Sequence, residues 1–413
     1  MTKDIGVKKH AAVTICSINY IAKALVLVNS YIAHHPEHDL YLILVDRKTP
    51  GISIDQPRVN VIWVEDLAIP HILKYAFTYD VIEFNTNVKP TALTFILESH
   101  DAVVYLDPDI KIYAPLTTVF EALESASLVL TPHSNTPILD GNKPDDLELL
   151  KFGAFNLGFV GVSRCDEGLA FLRWWSARCL EHGFYEPQLG LGVDQKWVGL
   201  APCFFPAMRV LHDEGLNVAF WNLHERSFEK SDGVWMVNSR TTLKFIHFSS
   251  FSTGRPDDIA QKQTRFAPGS RPDFGVLARA YAEELIANSS DRLSATPYGF
   301  DYFDDGSYVT PALRRFYAQL KLGVLGEDDN PFRRDGIVMN FARKNGLLMK
   351  SNNASKRHTF RDIGGYSFQI KVINKMLRFA LYLIGPERYF NLMRYLAHIS
   401  SLRNQTEMFG EIK

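Results

Sequence analysis

Val103-Val104-Tyr105-Leu106-Asp107-Pro108-Asp109-Ile110 decides the reading of this 413-residue chain. With Ala102 in front, the apolar run makes a strand that breaks into two carboxylates flanking a proline. In open α/β sheets, ligands bind beyond the carboxyl ends of the strands, which is where Asp107 and Asp109 fall. Two carboxylates one residue apart can share a hard divalent cation, Mg2+ or Mn2+, which prefers oxygen ligands and keeps positions open for phosphate oxygens. Asp-Pro-Asp is also ordinary turn chemistry, and the octapeptide alone does not separate the two.

Working outward, short apolar runs alternate with helical patterns. Ala11–Ile18 reads as a buried strand, Tyr20–His34 as a helix, Leu40–Val45 and Val59–Val64 as strands, and Lys89–Ser99 as a helix. Ser127–Thr131 is a further strand, followed by a polar segment, Pro132–Asp146, read as a mobile loop. Strand Asn156–Val162, helix Asp166–His182, a stretch through Gly190-Leu191-Gly192 and strand Leu243–Phe248 complete this part. The alternation predicts a mostly parallel central sheet with flanking helices. After about Pro256 helical patterns take over (Phe274–Asn288, Thr310–Gly323 and most of Ile370–Arg403), which divides the chain into 1–256 and a helical C-terminal region, 257–413.

Hydrophobic residues at 46% and charged residues at 22% fit a globular chain, and a net charge of −1 gives no overall field toward nucleic acid. The charge is unevenly placed. Between Asn340 and Arg403 twelve Lys or Arg face only Asp362 and Glu387. The 370–403 patterns mix these cations with aromatics, which reads either as a packed hairpin with a solvated basic face or as a peripheral contact with an anionic membrane. Cys16, Cys165, Cys179 and Cys203 form no CxxC pair, so reduced thiols and a cytoplasmic setting are expected, with the inner membrane face as the place of any peripheral contact. The polar start lacks a signal-peptide core, and no run of about 18 apolar residues suggests a spanning helix.

The strand Phe245-Ile246-His247-Phe248 adds a His from a distant part of the chain. A His after a strand is often structural, but with Asp107 and Asp109 it completes a chemically sensible ligand set. The order Asn19-Tyr20, Lys89-Pro90-Thr91, Tyr105 to Asp109, Phe155-Asn156-Leu157-Gly158-Phe159, Asp194-Gln195, Trp221-Asn222, His247-Phe248 then resembles the GT-A glycosyltransferases over roughly residues 10–256. It is most similar to the retaining family 8, the galactosyltransferase and glycogenin-like enzymes. The resemblance implies a Rossmann-like GT-A domain that moves a hexose from a nucleotide sugar, by default a UDP-sugar, to a glycan or lipid-linked glycan in bacterial surface polysaccharide or lipopolysaccharide assembly. Asp107, Asp109 and His247 would hold Mn2+ or Mg2+. Ile15, Ser17, Asn19 and Tyr20 would hold the nucleoside, with Tyr20 stacked on the base, and Lys89 would contact the diphosphate or sugar. Asn156 and the backbone at Gly158 would lie near the transferred sugar, and Asp194 and Gln195 would orient its hydroxyls.

The family follows its metal-binding His with a glycine and a lysine, whereas here Arg255 stands in a displaced position as the candidate phosphate clamp. Cys16-Ser17-Ile18 also departs from the usual nucleoside segment. Retention is expected through a front-face route, because Gln195 is a poor nucleophile and Asp194 serves as one only if it points inward. The alternatives are a nucleotidyltransferase, which usually has a Gly-rich loop that Cys16–Lys23 lacks, and a catalytically inactive scaffold in a glycan-assembly complex.

Overall fold

The computed structural model describes residues 8–52, 54, 56–289, 291–320, 330–349 and 367–405. Seven strand segments carry the site: β1 (His10–Cys16), β2 (Asp39–Leu44), β3 (Val59–Trp63), β4 (Ala102–Leu106), β5 (Ile110–Ile112), β6 (Leu128–Pro132) and β7 (Phe155–Ser163). The main sheet has seven strands in the order Arg209–Val210, β6, β7, β4, β1, β2, β3. All neighbouring pairs are parallel except those made by β7, which runs antiparallel between β4 and β6. Every residue of β4 is buried, as expected of a central strand covered on both faces. The mixed α/β class with a mostly parallel sheet is therefore as the alternation predicts.

Reversal of β7 places the site. Because β4 and β7 run in opposite directions, the end of β4 meets the start of β7, with Leu106 opposite Phe159. The Asp107 amide donates to the Gly158 carbonyl at 2.8 Å, so the carboxylates and the Asn156–Gly158 segment share one end of the sheet. A second, two-stranded sheet pairs β5 antiparallel with Phe245–His247, His247 opposite Ile110. The Phe248 amide then donates to the Asp109 carbonyl at 2.9 Å, which fixes the His beside the second carboxylate.

Contacts gather the chain into two compact units, Met1–Ile72 with Val81–Gly299, and Leu73–Asp80 with Phe300–Lys413. The first includes helix Pro272–Asn288, which lies beyond the change of pattern near Pro256. Its buried Phe274, Leu277, Ala278, Tyr281 and Leu285 recur at helical spacing, and Tyr281 stacks on Phe248 with ring centres 3.9 Å apart. The residue after the candidate ligand His247 is thus anchored by an element that the pattern change assigns elsewhere. The 133–145 segment, read as a mobile loop, is pinned in the same unit. Arg265 binds Asp140, the Asn135 amide donates to Glu225, and the Lys143 amide donates to Thr264.

In the second unit, Arg314 is almost fully buried, and its guanidinium donates to the carbonyls of Ala76, Phe77, Tyr79 and Phe300 and to the Asp301 carboxylate. A buried charge needs such complete satisfaction, and here it ties Leu73–Asp80 to the helix Pro311–Gln319. The predicted helix Thr310–Gly323 is described from Pro311 to Gln319; its last three residues lie outside the described residues. The last pattern divides into helices Ser367–Ile384 and Pro386–Ile399. Among the described residues no helix is long and apolar enough to cross a membrane.

Candidate active site

Asp107, Asp109 and His247 offer one ligand atom each, all within 4.8 Å of one another. His247 Nε2 lies 3.0 Å from Asp109 Oδ1 and 3.5 Å from Asp107 Oδ2. The Tyr105 hydroxyl donates to Asp107 Oδ1 at 2.5 Å, which leaves Oδ2 turned toward the His. Burial opposes ionisation of Asp109, but His247 and Lys23 override it and hold the carboxyl down at about 2. Burial likewise pulls His247 down, yet the two carboxylates raise it above the ordinary imidazole range.

Asn156 shows what that place is shaped for. Its carboxamide oxygen accepts from the Gly158 amide at 3.1 Å, and a backbone N–H can only donate, so the oxygen position is fixed. The same oxygen sits 3.3 Å from His247 Nδ1, and it therefore receives the Nδ1 proton. A neutral His247 consequently carries its lone pair on Nε2, the atom facing both carboxylates. An anchored Nδ1–H with the other nitrogen free is how proteins orient a metal-binding His. The donor set and the tautomer both fit a divalent cation.

Further residues hold Asn156 itself. Asn217 Nδ2 donates to the same oxygen at 3.2 Å and to Thr131 Oγ1 at 2.9 Å. Asn156 Nδ2 faces His133 Nε2 at 3.3 Å, and burial pushes the His133 imidazole down to about 4, leaving it a neutral acceptor. Trp221 meets His247 edge to face, ring centres 5.2 Å apart. Gly158 is required by space: a Cβ there would lie 2.4 Å from His247 Cε1 and 2.8 Å from Asn156 Oδ1.

Lys89 and Asp194 form a buried pair, Nζ to Oδ2 at 2.6 Å, with both side chains only 2–3% exposed. The ammonium also donates to the Leu157 carbonyl at 2.7 Å and lies over the Tyr105 ring at 4.1 Å. Those partners occupy the group that the family resemblance gives to the donor, so in this structure Lys89 holds Asp194. Burial raises the Asp194 carboxyl above its usual range despite the ammonium. Val193 just before it has φ of 48°, a strained value for a β-branched residue and a mark of a position the surroundings impose. Gln195 bridges backbones: its oxygen accepts from the Leu157 amide at 3.0 Å and its nitrogen donates to the Phe152 carbonyl at 2.9 Å.

The nucleoside candidates follow β1. Ile15 is buried in the strand, Ser17 donates to the Asn19 side chain at 2.6 Å, and Tyr20 is exposed with the Lys23 ammonium 4.5 Å from its ring centre. Asp46, which the sequence reading passes over, accepts from the Ile18 amide at 3.4 Å and from the Gly299 and Arg47 amides. Arg255 is 62% exposed and pairs with Asp258 at 3.3 Å. The structure brings together Asp107, Asp109, His247, Asn156 and Gly158, and beside them Lys89 and Gln195 on the Leu157 backbone, with Asp194 paired to Lys89. Neither group has Arg255 among its contacts.

The fold and site define an α/β protein in which Asp107, Asp109 and His247 converge beyond the carboxyl end of β4 as a set that could hold a cation. No family model matches the chain. An uncharacterized protein of Bacillus subtilis (strain 168), YfnF, is 26% identical over 300 residues, covering 71% of this chain and 97% of the relative. Similar solved structures are glycosyltransferases. The galactosyltransferase LgtC, solved with donor and acceptor sugar analogues, has a TM-score of 0.43 at 15% identity, over 68% of this chain and 96% of that one. GlyE of Streptococcus pneumoniae TIGR4 has a TM-score of 0.39 at 15% identity, over 72% and 67%.

Proposed function

We propose that this chain is a metal-dependent glycosyltransferase that moves a hexose from a nucleotide sugar, UDP-linked by default, to a glycan or lipid-linked glycan of a bacterial surface polymer. The observation that carries the reading is the placement of His247, whose Nδ1 faces the Asn156 oxygen while its Nε2 faces Asp107 and Asp109 at the strand ends. Mn2+ or Mg2+ held by these three residues would offset the charge of a departing nucleoside diphosphate.

The chain's own groups do the rest. Asn156 orients the His, and Tyr105 orients Asp107. The Lys89–Asp194 pair gives the site a fixed dipole that needs no reorganisation during reaction, which is the most effective form of electrostatic assistance. Asp194 as a nucleophile would have to leave an ammonium 2.6 Å away, so we favour retention by a front-face route with the acceptor hydroxyl entering on the side the diphosphate leaves. Exposed Tyr20 is the base-stacking candidate, and Arg255 would reach phosphate only by leaving Asp258.

Donor hydrolysis tests the reading. A panel of nucleotide sugars is incubated with wild type and Asp107→Ala, with and without Mn2+. Release of nucleoside diphosphate and free sugar only with metal and only by wild type is the expected result. Release of pyrophosphate with a nucleoside triphosphate and sugar phosphate would instead make it a nucleotidyltransferase, and no turnover of any donor would favour an inactive scaffold.

A further inference from the structure

Helices Ser367–Ile384 and Pro386–Ile399 carry a surface that the proposed transfer does not use. The two helices pack against each other, and their half-buried positions include Ile370, Leu377 and Ile384 on the first and Tyr389 and Met393 on the second. A different face of the first helix stays open. Phe368, Val372, Met376, Phe379 and Leu383 are spaced four, four, three and four apart, so they form one stripe. Phe368, Met376, Phe379 and Leu383 are each more than 60% exposed, and Tyr382 is 85% exposed. A contiguous apolar stripe of this kind on a monomer marks an interaction surface.

The charges beside the stripe say what covers it. Lys371, Lys375 and Arg378, spaced four and three apart, form a second row immediately around the helix. Within 367–405 the only acidic residue is Glu387. Pairing with a second copy of this chain would set the two cationic rows against each other with one acid per copy to offset them. An anionic lipid surface satisfies both features together: phosphates meet the cations while the stripe enters the headgroup–acyl boundary. Neither helix is apolar enough to span a bilayer, so the first helix would lie in the plane of the surface.

We propose that the helix Ser367–Ile384 docks along an anionic lipid surface through its Phe368–Leu383 stripe and the flanking Lys371, Lys375 and Arg378. This goes beyond the proposed transfer reaction and stands without it.

The test is co-sedimentation of the full chain with phosphatidylcholine vesicles, with and without phosphatidylglycerol. Binding is expected to the acidic vesicles only, and to weaken with added salt as charges are screened. Neutralising the row (K371Q/K375Q/R378Q) should lower the partition coefficient by about a hundredfold, the combined effect of three cations near an anionic surface. Removing the apolar contact (M376E/F379E) should lower it by a similar factor, with circular dichroism unchanged in both variants. Equal binding to neutral vesicles, binding that survives either variant, or a wild type that binds no vesicle and instead forms a dimer lost in M376E/F379E would each overturn the proposal.

Discussion

Asn156 holds the Gly158 amide, the Asn217 side chain and His247 Nδ1 around one carboxamide oxygen, and the His247 tautomer follows from that arrangement. Removing an outer partner of this kind typically lowers metal affinity 10- to 100-fold. Asn156→Leu should therefore weaken Mn2+ binding by about that factor in a calorimetric titration, with the fold intact; unchanged affinity would contradict the role. At Gly158, an added methyl 2.4 Å from His247 Cε1 forces the ring out of place. Gly158→Ala should lose more Mn2+ affinity than Asn156→Leu does. Lys89 gives a third test at this scale. Truncation to Met leaves Asp194 buried without its cation, and breaking such a pair costs roughly 3–5 kcal/mol. Urea unfolding should show that loss in Lys89→Met and recover most of it in the Lys89→Met/Asp194→Asn double variant. Equal loss in both would mean that Lys89 acts through packing alone.

At the scale of elements, much was legible and the reason is local. Ala102–Leu106 and Asp166–His182 form over the same residues that their apolar patterns delimit, the other predicted strands of the central sheet shift by at most two residues at their ends, and the edge strand Arg209–Val210 was not foreseen. Asp107, Asp109 and His247 could be proposed together because metal chemistry restricts residue type. The Leu157 carbonyl that Lys89 binds, and the Leu157 amide and Phe152 carbonyl that Gln195 bridges, could not, since a backbone group leaves no mark on residue identity. Asn217 was invisible for a related reason: its partner Thr131 is 86 positions away. One miss had a signal. The hairpin Phe228–Ser231 with Val234–Val237 turns on Asp232-Gly233, both at positive φ, and Asp-Gly between apolar-bearing strands is a strong local hairpin cue. Helix Pro272–Asn288 was predicted but not its place. Its Tyr281 stacks on Phe248, so Tyr281→Ala should lower stability by about 3–5 kcal/mol and loosen the His247 strand, which would register as weaker Mn2+ binding as well.

For the whole molecule, two expectations follow from buried charge. Arg314 closes the second unit by satisfying four carbonyls and a carboxylate at once, and Arg314→Met should unfold that unit well before the first in a thermal scan. The histidines set the acid response. Burial depresses His38 and His133 to about 4 in the folded chain, against 6.5 when unfolded, and His10, His34, His35 and His224 are lowered in the same direction. Between those values the unfolded chain binds more protons, so stability should fall as pH drops from about 6.5 toward 4. His247 is shifted the other way, and its contribution is lost only as pH rises through its folded value, outside that window. Urea midpoints that stay flat between pH 6.5 and 4 would contradict the burial of these rings. The most direct test of the account as a whole is calorimetric titration of UDP-hexoses into wild type and Asp109→Ala, each with Mn2+ and with chelator. Donor binding is expected by wild type in Mn2+ alone, and none by Asp109→Ala in either condition. Donor binding that is equal with chelator, or equal in the variant, would contradict it.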